Sequence, residues 1–454
     1  MWKRLAIWAS AVLAIAAVAI ALINVAGEQL LPETWVARYD GSSSSHDEAL
    51  ALAVDASGNV YVAGFSVGSG AAYDYATVKY DSDGNQLWVA RYDGPAGGND
   101  KVYAIAVDGS GNVYITGESE GDGTLHDYAT VKYDNDGNQL WVARYDGPAS
   151  GSDGASAIAV DGDGNVYVAG YSSGYGSDYA TIKYDSDGNQ LWVARYNGPR
   201  DSGDYATALA VDSMGNIYVT GYSLGDGTAF DYATVKYDSE GNQLWATRYD
   251  GPASRDDEAH AMAVSSSGNV YVTGHSKAGD DNVEYATIGY DSEGNQLWVA
   301  RYNKQGGGQA RANDVAIDGE GNVFVTGSSR FTVKDYVTSD SATVKYDPQG
   351  NQLWAARYNS PEKLEDGTNA IAVDGEGNIY VTGSSASIGS YADCITVKYA
   401  SDGNQLWVAR YNGPRSGADS AHAIAVDGDG NVYITGYSYG DDSLRDFATI
   451  KYAR

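Results

Sequence analysis
Asp81-Ser82-Asp83-Gly84-Asn85 sets alternate carboxylates ahead of a glycine, the arrangement by which a tight backbone turns oxygen ligands toward calcium. Sister runs in the same chain weaken that reading, because the second acid becomes Glu240, Glu293 or Gln349 and the first becomes Ala400. No bidentate glutamate follows at the distance a calcium loop needs. A hairpin turn with Gly84 in the left-handed position explains the same residues. The parallel series from Asp55 to Asn59, whose aspartate becomes Ser265 in one copy, reads likewise.

A second set of carboxylates, Asp47, Asp100, Asp153, Asp204, Asp257, Asp366 and Asp419, stands at one place in the recurring pattern, with Ala310 in the remaining copy. Such a ring either caps turns and ties neighbouring units together, or forms a collar for a cation, calcium included, or for a cationic ligand. The middle residue of a recurring Gly-x-Ser is Phe65, Glu118, Tyr171, Tyr222, His275, Ser328, Ser384 or Tyr437. Aromatics beside carboxylates suit sugar faces or peptide side chains, which makes Phe65, Tyr171, Tyr222 and Tyr437 the expected ligand contacts. Acid–base chemistry would fall to His260, His275 and Arg311, where the pattern is most broken. His422 holds the position equivalent to His260 three units away, too far to share a metal. Cys394, the single cysteine, stands where sister units have Tyr75, Tyr128 or Phe447, and reads as a core thiol. Lys79 and Arg91 have counterparts in nearly every unit; their stems are expected to pack between units and their heads to meet carboxylates such as Asp74.

The elements that position these groups emerge from repetition. Trp-(Val/Ala)-(Ala/Thr)-Arg-Tyr begins at Trp35, Trp88, Trp141, Trp192, Trp245, Trp298, Trp354 and Trp407, at spacings of 51 to 56 residues. Between these marks come four short segments rich in Val, Tyr, Thr and Trp, separated by turn residues, which predict four antiparallel strands per unit. In the first complete unit they lie near Ala49 to Val54, Asn59 to Gly64, Tyr75 to Tyr80 and Gln86 to Tyr92, here lettered a to d from the axis outward. Ala49, Ala51 and Ala53 place small side chains on one face near a crowded centre, and Trp88 is a wedge for the periphery. The expected fold is an all-β, eight-bladed propeller of four-stranded antiparallel blades. The last unit stops at Tyr452 after its third strand, and residues 34–39 read as an isolated fourth strand that joins this C-terminal blade and closes the ring.

Strand direction alternates, so the uniform a–b and c–d turns share one rim and the variable b–c and d–a connections the other. The variable stretches include Phe65 to Tyr73, Glu118 to His126, Ser328 to Ser339 and Tyr437 to Arg445, with the longest loop at Arg330 to Asp340. A rigid ring carrying diverse loops on one face is arranged for recognition, though surface loops also drift freely.

These runs resemble the bacterial and archaeal β-propeller repeat family called SBBP, whose units look like Ala-Ile-Ala-Val-Asp-x-x-Gly-Asn-Val-Tyr-Val-Thr-Gly. Ala104 to Gly117, Ala157 to Gly170 and Ala423 to Gly436 carry the likeness, which covers about residues 34 to 452. It implies the fold and an exported or surface location, with no defined role. The acidic turns followed by Leu-Trp also resemble quinoprotein-like propeller repeats.

Lys3 and Arg4 precede an uncharged apolar run from Leu5 to Ile23, which reads as an export signal. As a helix it would be roughly 28 Å long, enough to span a bilayer, so residues 1–27 are either a cleaved signal peptide or an uncleaved anchor. Residues 28–33 are then a short linker and 34–454 the propeller, held outside the cytoplasm. The net charge of −31 disfavours nucleic acid and anionic lipid.

No Gly-x-Ser-x-Gly, His-Glu-x-x-His or phosphate loop is present. The expectation is a non-catalytic extracytoplasmic recognition or scaffolding propeller that binds a glycan, peptide or surface protein through its variable face and needs no cofactor. Two alternatives stand beside it. One is a hydrolase or lyase acting on extracellular polysaccharide, or a quinoprotein-like oxidoreductase; the other is a structural envelope protein.

Overall fold
The structure is a computed structural model. It describes residues 31–454, apart from 43–44, 69–71, 175, 280–281, 304–307, 334–335, 362–363, 388–390 and 442–443. The expected apolar helix and signal of residues 1–27 lie outside the described residues.

Every regular element described is a strand. In the first unit a is Asp47–Val54, b Val60–Val67, c Tyr73–Tyr80 and d Gln86–Tyr92, paired antiparallel in that order. The inner hairpins therefore extend past the expected ends on the variable rim. Phe65 and Tyr73 lie in strands rather than in a loop. The extension is largest in the sixth unit, where b is Val323–Val333 and c Tyr336–Tyr346, and the long loop expected at Arg330 to Asp340 is instead a two-stranded ribbon. Six sheets have four strands. The fifth and sixth units merge into one eight-stranded sheet through a single parallel bridge, Val283 to Gln309.

The alanines of strand a do not share one face. Ala49 lies opposite Gly64 and Ala51 opposite Ala63, with a bulge at Leu50 between them. A bulge inserts one unpaired residue and re-aims the side chains beyond it. Ala49 consequently packs with Val60, Val62, Ala76 and Val78, as do Leu52 and Val54, on the face away from Ala51. The same register shift recurs in all eight units.

Each tryptophan of strand d wedges between units. Trp88 lies 6.4 Å from Tyr61 of its own unit and 6.3 Å from Tyr133 of the next, and its Nε1 donates to the Asn135 carbonyl there. The c–d turn accepts the ring because Gly137 has φ of 85°, and a Cβ at that position would stand 2.7 Å from the Trp88 ring. Lys79 departs from expectation. Its ammonium lies 4.9 Å from the Tyr61 centroid and donates to the Asn135 carbonyl, so it joins units through backbone and π-face rather than through a carboxylate.

Arginine does pair as expected, and it also reaches the preceding unit. Arg91 Nη2 meets Asp74 Oδ2 at 2.8 Å and the Ser66 carbonyl at 2.9 Å, while Nη1 meets Ser66 Oγ and the hydroxyl of Tyr39. Arg144, Arg195, Arg248, Arg301, Arg357 and Arg410 likewise donate to Tyr92, Tyr145, Tyr196, Tyr249, Tyr302 and Tyr358.

At the chain ends, Trp35–Tyr39 pairs antiparallel with Asp446–Tyr452, from Trp35 opposite Lys451 to Tyr39 opposite Phe447. This supplies the fourth strand of the last unit, whose other strands are Ser420–Val426 and Val432–Ser438. Arg38 takes the arginine place, bonded to Asp446, Ser438 and Tyr411. Tyr433 and Phe447 of the last unit share a core cluster with Val60, Val78 and Tyr80 of the first.

Candidate functional site
Strand a begins at the variable rim, and the aspartate at or just before its first position accepts from an amide of the d–a loop and from one at the end of strand b. Asp47 accepts from Gly41 N at 2.7 Å and Val67 N at 3.1 Å; Asp153 accepts from Gly147 N at 2.7 Å and Ser173 N at 3.0 Å; Asp419 accepts from Gly413 N and Tyr439 N. Asp100, Asp204, Asp257 and Asp366 repeat the bond to the amide six residues earlier. All seven are at most 1% exposed. The bonds fit the capping alternative: these buried carboxylates staple the d–a loop beneath the rim, because the loop's donors converge there. In four places a third acid approaches, as Asp146 does beside Asp127 and Asp153, with Asp127 already paired to Arg144 at 2.9 Å. The Asp81 and Asp55 turns are hairpins, their carboxylates accepting from Asn85 and Asn59 within the turn.

Tyr171 and Tyr222 are brought together by a residue between them. Tyr205 lies directly opposite Tyr222 across the a–b pair, with ring centroids 5.3 Å apart, and it reaches across the unit boundary to Tyr171 at 5.5 Å. Phe230 stands edge-on to Tyr222 at 5.2 Å. The ring of Tyr171 covers Gly154, where a Cβ would sit 2.8 Å from it. Glu118, bonded to Tyr103 at 2.7 Å, borders Tyr171; burial first, then Glu118, raises the Tyr171 phenol above its ordinary pKa. Burial and then Glu258 do the same to Tyr222. An arc of rings thus runs from exposed Tyr103 to Phe230, with Glu118 and Glu258 flanking its central series Tyr171, Tyr205 and Tyr222.

Phe65 and Tyr437 are not part of this arc. Phe65 packs edge-on to Tyr73 at 4.9 Å, with the Lys101 ammonium 5.7 Å from its ring. Tyr437 is capped by the Arg445 guanidinium at 4.0 Å and flanked by His422 at 5.6 Å. Arg445 and His422 both turn to Glu48 of the first unit, at 2.9 and 3.2 Å. Tyr437 therefore serves the junction of the last and first units.

His260 and His275 do meet, with centroids 5.1 Å apart. Glu258 completes the group, its Oε2 lying 3.9 Å from Nε2 of each histidine. His275 is 1% exposed; burial, with His260 beside it, lowers its pKa to about 4, so the ring is neutral at pH 7. The His260 ring beside it holds the Glu258 carboxyl below its usual range. Arg311 is exposed nearby and acts electrostatically on both Glu258 and His275. Neither Tyr205 nor Glu258 figured among the expected contacts. Both lie in the part of strand a that precedes its expected start, opposite residues that were singled out, and the signal for them was cross-strand register. Cys394 is buried, and burial raises its thiol well above the ordinary value.

Comparison with known proteins bears on the repeat. An uncharacterized WD repeat-containing protein of Acanthamoeba polyphaga mimivirus is 25% identical over 445 residues, which is 79% of this chain and 31% of that protein. Regulatory protein FlaEY of Caulobacter vibrioides is 29% identical over 182 residues, 36% of this chain and 18% of that protein. The chain spans less than a third of the length of these curated relatives. The periplasmic gluconolactonase of Pseudomonas aeruginosa superposes with a TM-score of 0.48 at 15% identity, over 82% of this chain and 98% of that one. The SBBP family model, described as a beta-propeller repeat, matches residues 90–123, 144–176, 191–227, 365–389 and 406–442. The chain is a β-propeller repeat protein that carries the SBBP repeat at five segments.

Proposed function
We propose that this chain is an exported, closed eight-bladed propeller that binds an uncharged glycan, without catalysis, along the arc from Tyr103 to Phe230. The observation that carries this is the contact of Tyr171, Tyr205 and Tyr222, three rings in series across two units with Glu118 and Glu258 at the ends. Flat aromatic faces complement the apolar faces of sugar rings, and carboxylates accept from sugar hydroxyls. A net charge of −31 disfavours anionic polysaccharide. Closure rests on Trp35–Tyr39, which pairs with the last unit while Arg91 of the first unit bonds to Tyr39. Residues 1–27 are the signal or anchor of this reading, 28–33 its linker and 34–454 its binding module.

The test is binding of the full chain to a glycan array, followed by calorimetry on the best neutral oligosaccharide. The triple variant Tyr171→Ala, Tyr205→Ala, Tyr222→Ala should bind about a hundredfold more weakly, at roughly 1 kcal/mol per stacked ring. Equal affinity of variant and wild type sinks the site. Binding to peptide arrays alone would refute the ligand class, and self-association with no ligand would favour an envelope component.

A further inference from the structure
We propose that Glu258, His260 and His275 form a binding site for a divalent transition ion of the zinc class, with a fourth position open toward Arg311. The donor set is the first support. Two imidazoles and a carboxylate suit zinc, and their ligand atoms all lie within 4.8 Å of one another. Zinc held tetrahedrally at 2.0–2.1 Å spaces its donors about 3.4 Å apart, so the observed 3.9 Å separations need a closure of about half an ångström.

Second, the tautomer of His260 is set from behind. Its Nδ1 lies 2.9 Å from the Ala312 carbonyl of the next unit, a pure acceptor, so Nδ1 carries a proton and Nε2 is the nitrogen turned toward Glu258. A histidine ligand anchored through its other nitrogen to a backbone carbonyl is the usual outer support of a metal site. Third, His275 is buried and its Nε2 stands 3.9 Å from Glu258 Oε2, beyond hydrogen-bond reach.

The scaffold does not require the cluster. The places of His260 and His275 are held by Thr207 and Tyr222 one unit earlier and by Asn313 and Ser328 one unit later, on the same backbone. The junction of the last and first units supplies a contrast. There His422 also approaches a glutamate, Glu48, but Arg445 already neutralises that carboxylate at 2.9 Å and the second histidine is replaced by Tyr437. At the proposed site Lys277 is engaged by Asp256, and exposed Arg311 would hold an anionic fourth ligand.

The experiment is titration of the full chain with Zn²⁺ by calorimetry and with Co²⁺ by visible absorption. The expected result is one ion per chain, with the intense bands of tetrahedral cobalt. His260→Asn and His275→Ser, both borrowed from the sixth unit so that folding is kept, and Glu258→Gln should each weaken binding at least tenfold. His422→Asn should leave it unchanged. No saturable binding, six-coordinate cobalt spectra, or equal loss in the His422 variant would overturn the assignment.

Discussion
Arg38→Ala isolates the contact by which the first described strand holds the last unit. Arg38 donates through Nη2 to Asp446 Oδ2 at 2.7 Å, through Nη1 to Ser438 Oγ at 2.8 Å and Tyr411 at 3.0 Å, and through Nη2 to the Ser438 carbonyl at 2.9 Å. The pair is 22% and 6% exposed, so Ala leaves Asp446 desolvated without a counter-charge. Breaking a fully buried pair costs about 3–5 kcal/mol; the partial exposure of Arg38 places this one near the lower end, about 3 kcal/mol. Local opening of residues 35–39 should then rise about a hundredfold, measured by hydrogen exchange of their amides. Global melting should fall by only about 3 °C, since the unfolding entropy of a chain this size is large. Arg195→Ala is the control, because it removes the same set of bonds to Asp178, Ser172 and Tyr145. Its strand continues directly from the c–d turn of its own unit, so its amides should accelerate less. Residues 35–39 exchanging at the unprotected rate in the wild type, or unaffected by Arg38→Ala, would refute the pairing of this strand with the last unit.

Asp314 stands at the register position of Ala51, Ala261 and Ala370, and burial raises its pKa to about 6 although it accepts from Ile371 N at 2.9 Å. A carboxyl raised in the fold contributes stability fully below its unfolded value near 4 and loses it as pH rises through 6. Asp314→Ala should therefore flatten the stability profile between pH 4 and 6 and stabilise the chain at pH 7 by about 1–2 kcal/mol, after allowing for the lost bond; a less stable variant at pH 7 in urea unfolding would contradict this. Cys394, buried in the core, should react with a thiol reagent only as fast as the chain unfolds, and immediate modification of the native protein would show otherwise.

The eightfold unit, its four strands and its hairpin turns were legible because they depend on local chemistry. Alternating β-branched and aromatic residues specify strands, and Asp-x-x-Gly-Asn closes a turn whatever surrounds it. The arginine pairing was likewise legible, since Arg91 and Asp74 recur on adjacent strands. The features that the sequence alone left open depend on register and on neighbours far along the chain. A bulge at Leu50 and its equivalents redirects strand a, and a one-residue change of register exchanges the faces of everything beyond it. Tertiary structure buried the Asp47 series against the d–a loop amides, which the sequence left between turn caps and a collar. It also set Tyr205 between Tyr171 and Tyr222, and Glu258 between His260 and His275. Those groupings arise from cross-strand opposition and from blade-to-blade packing between residues up to 34 positions apart, where local propensity carries no information.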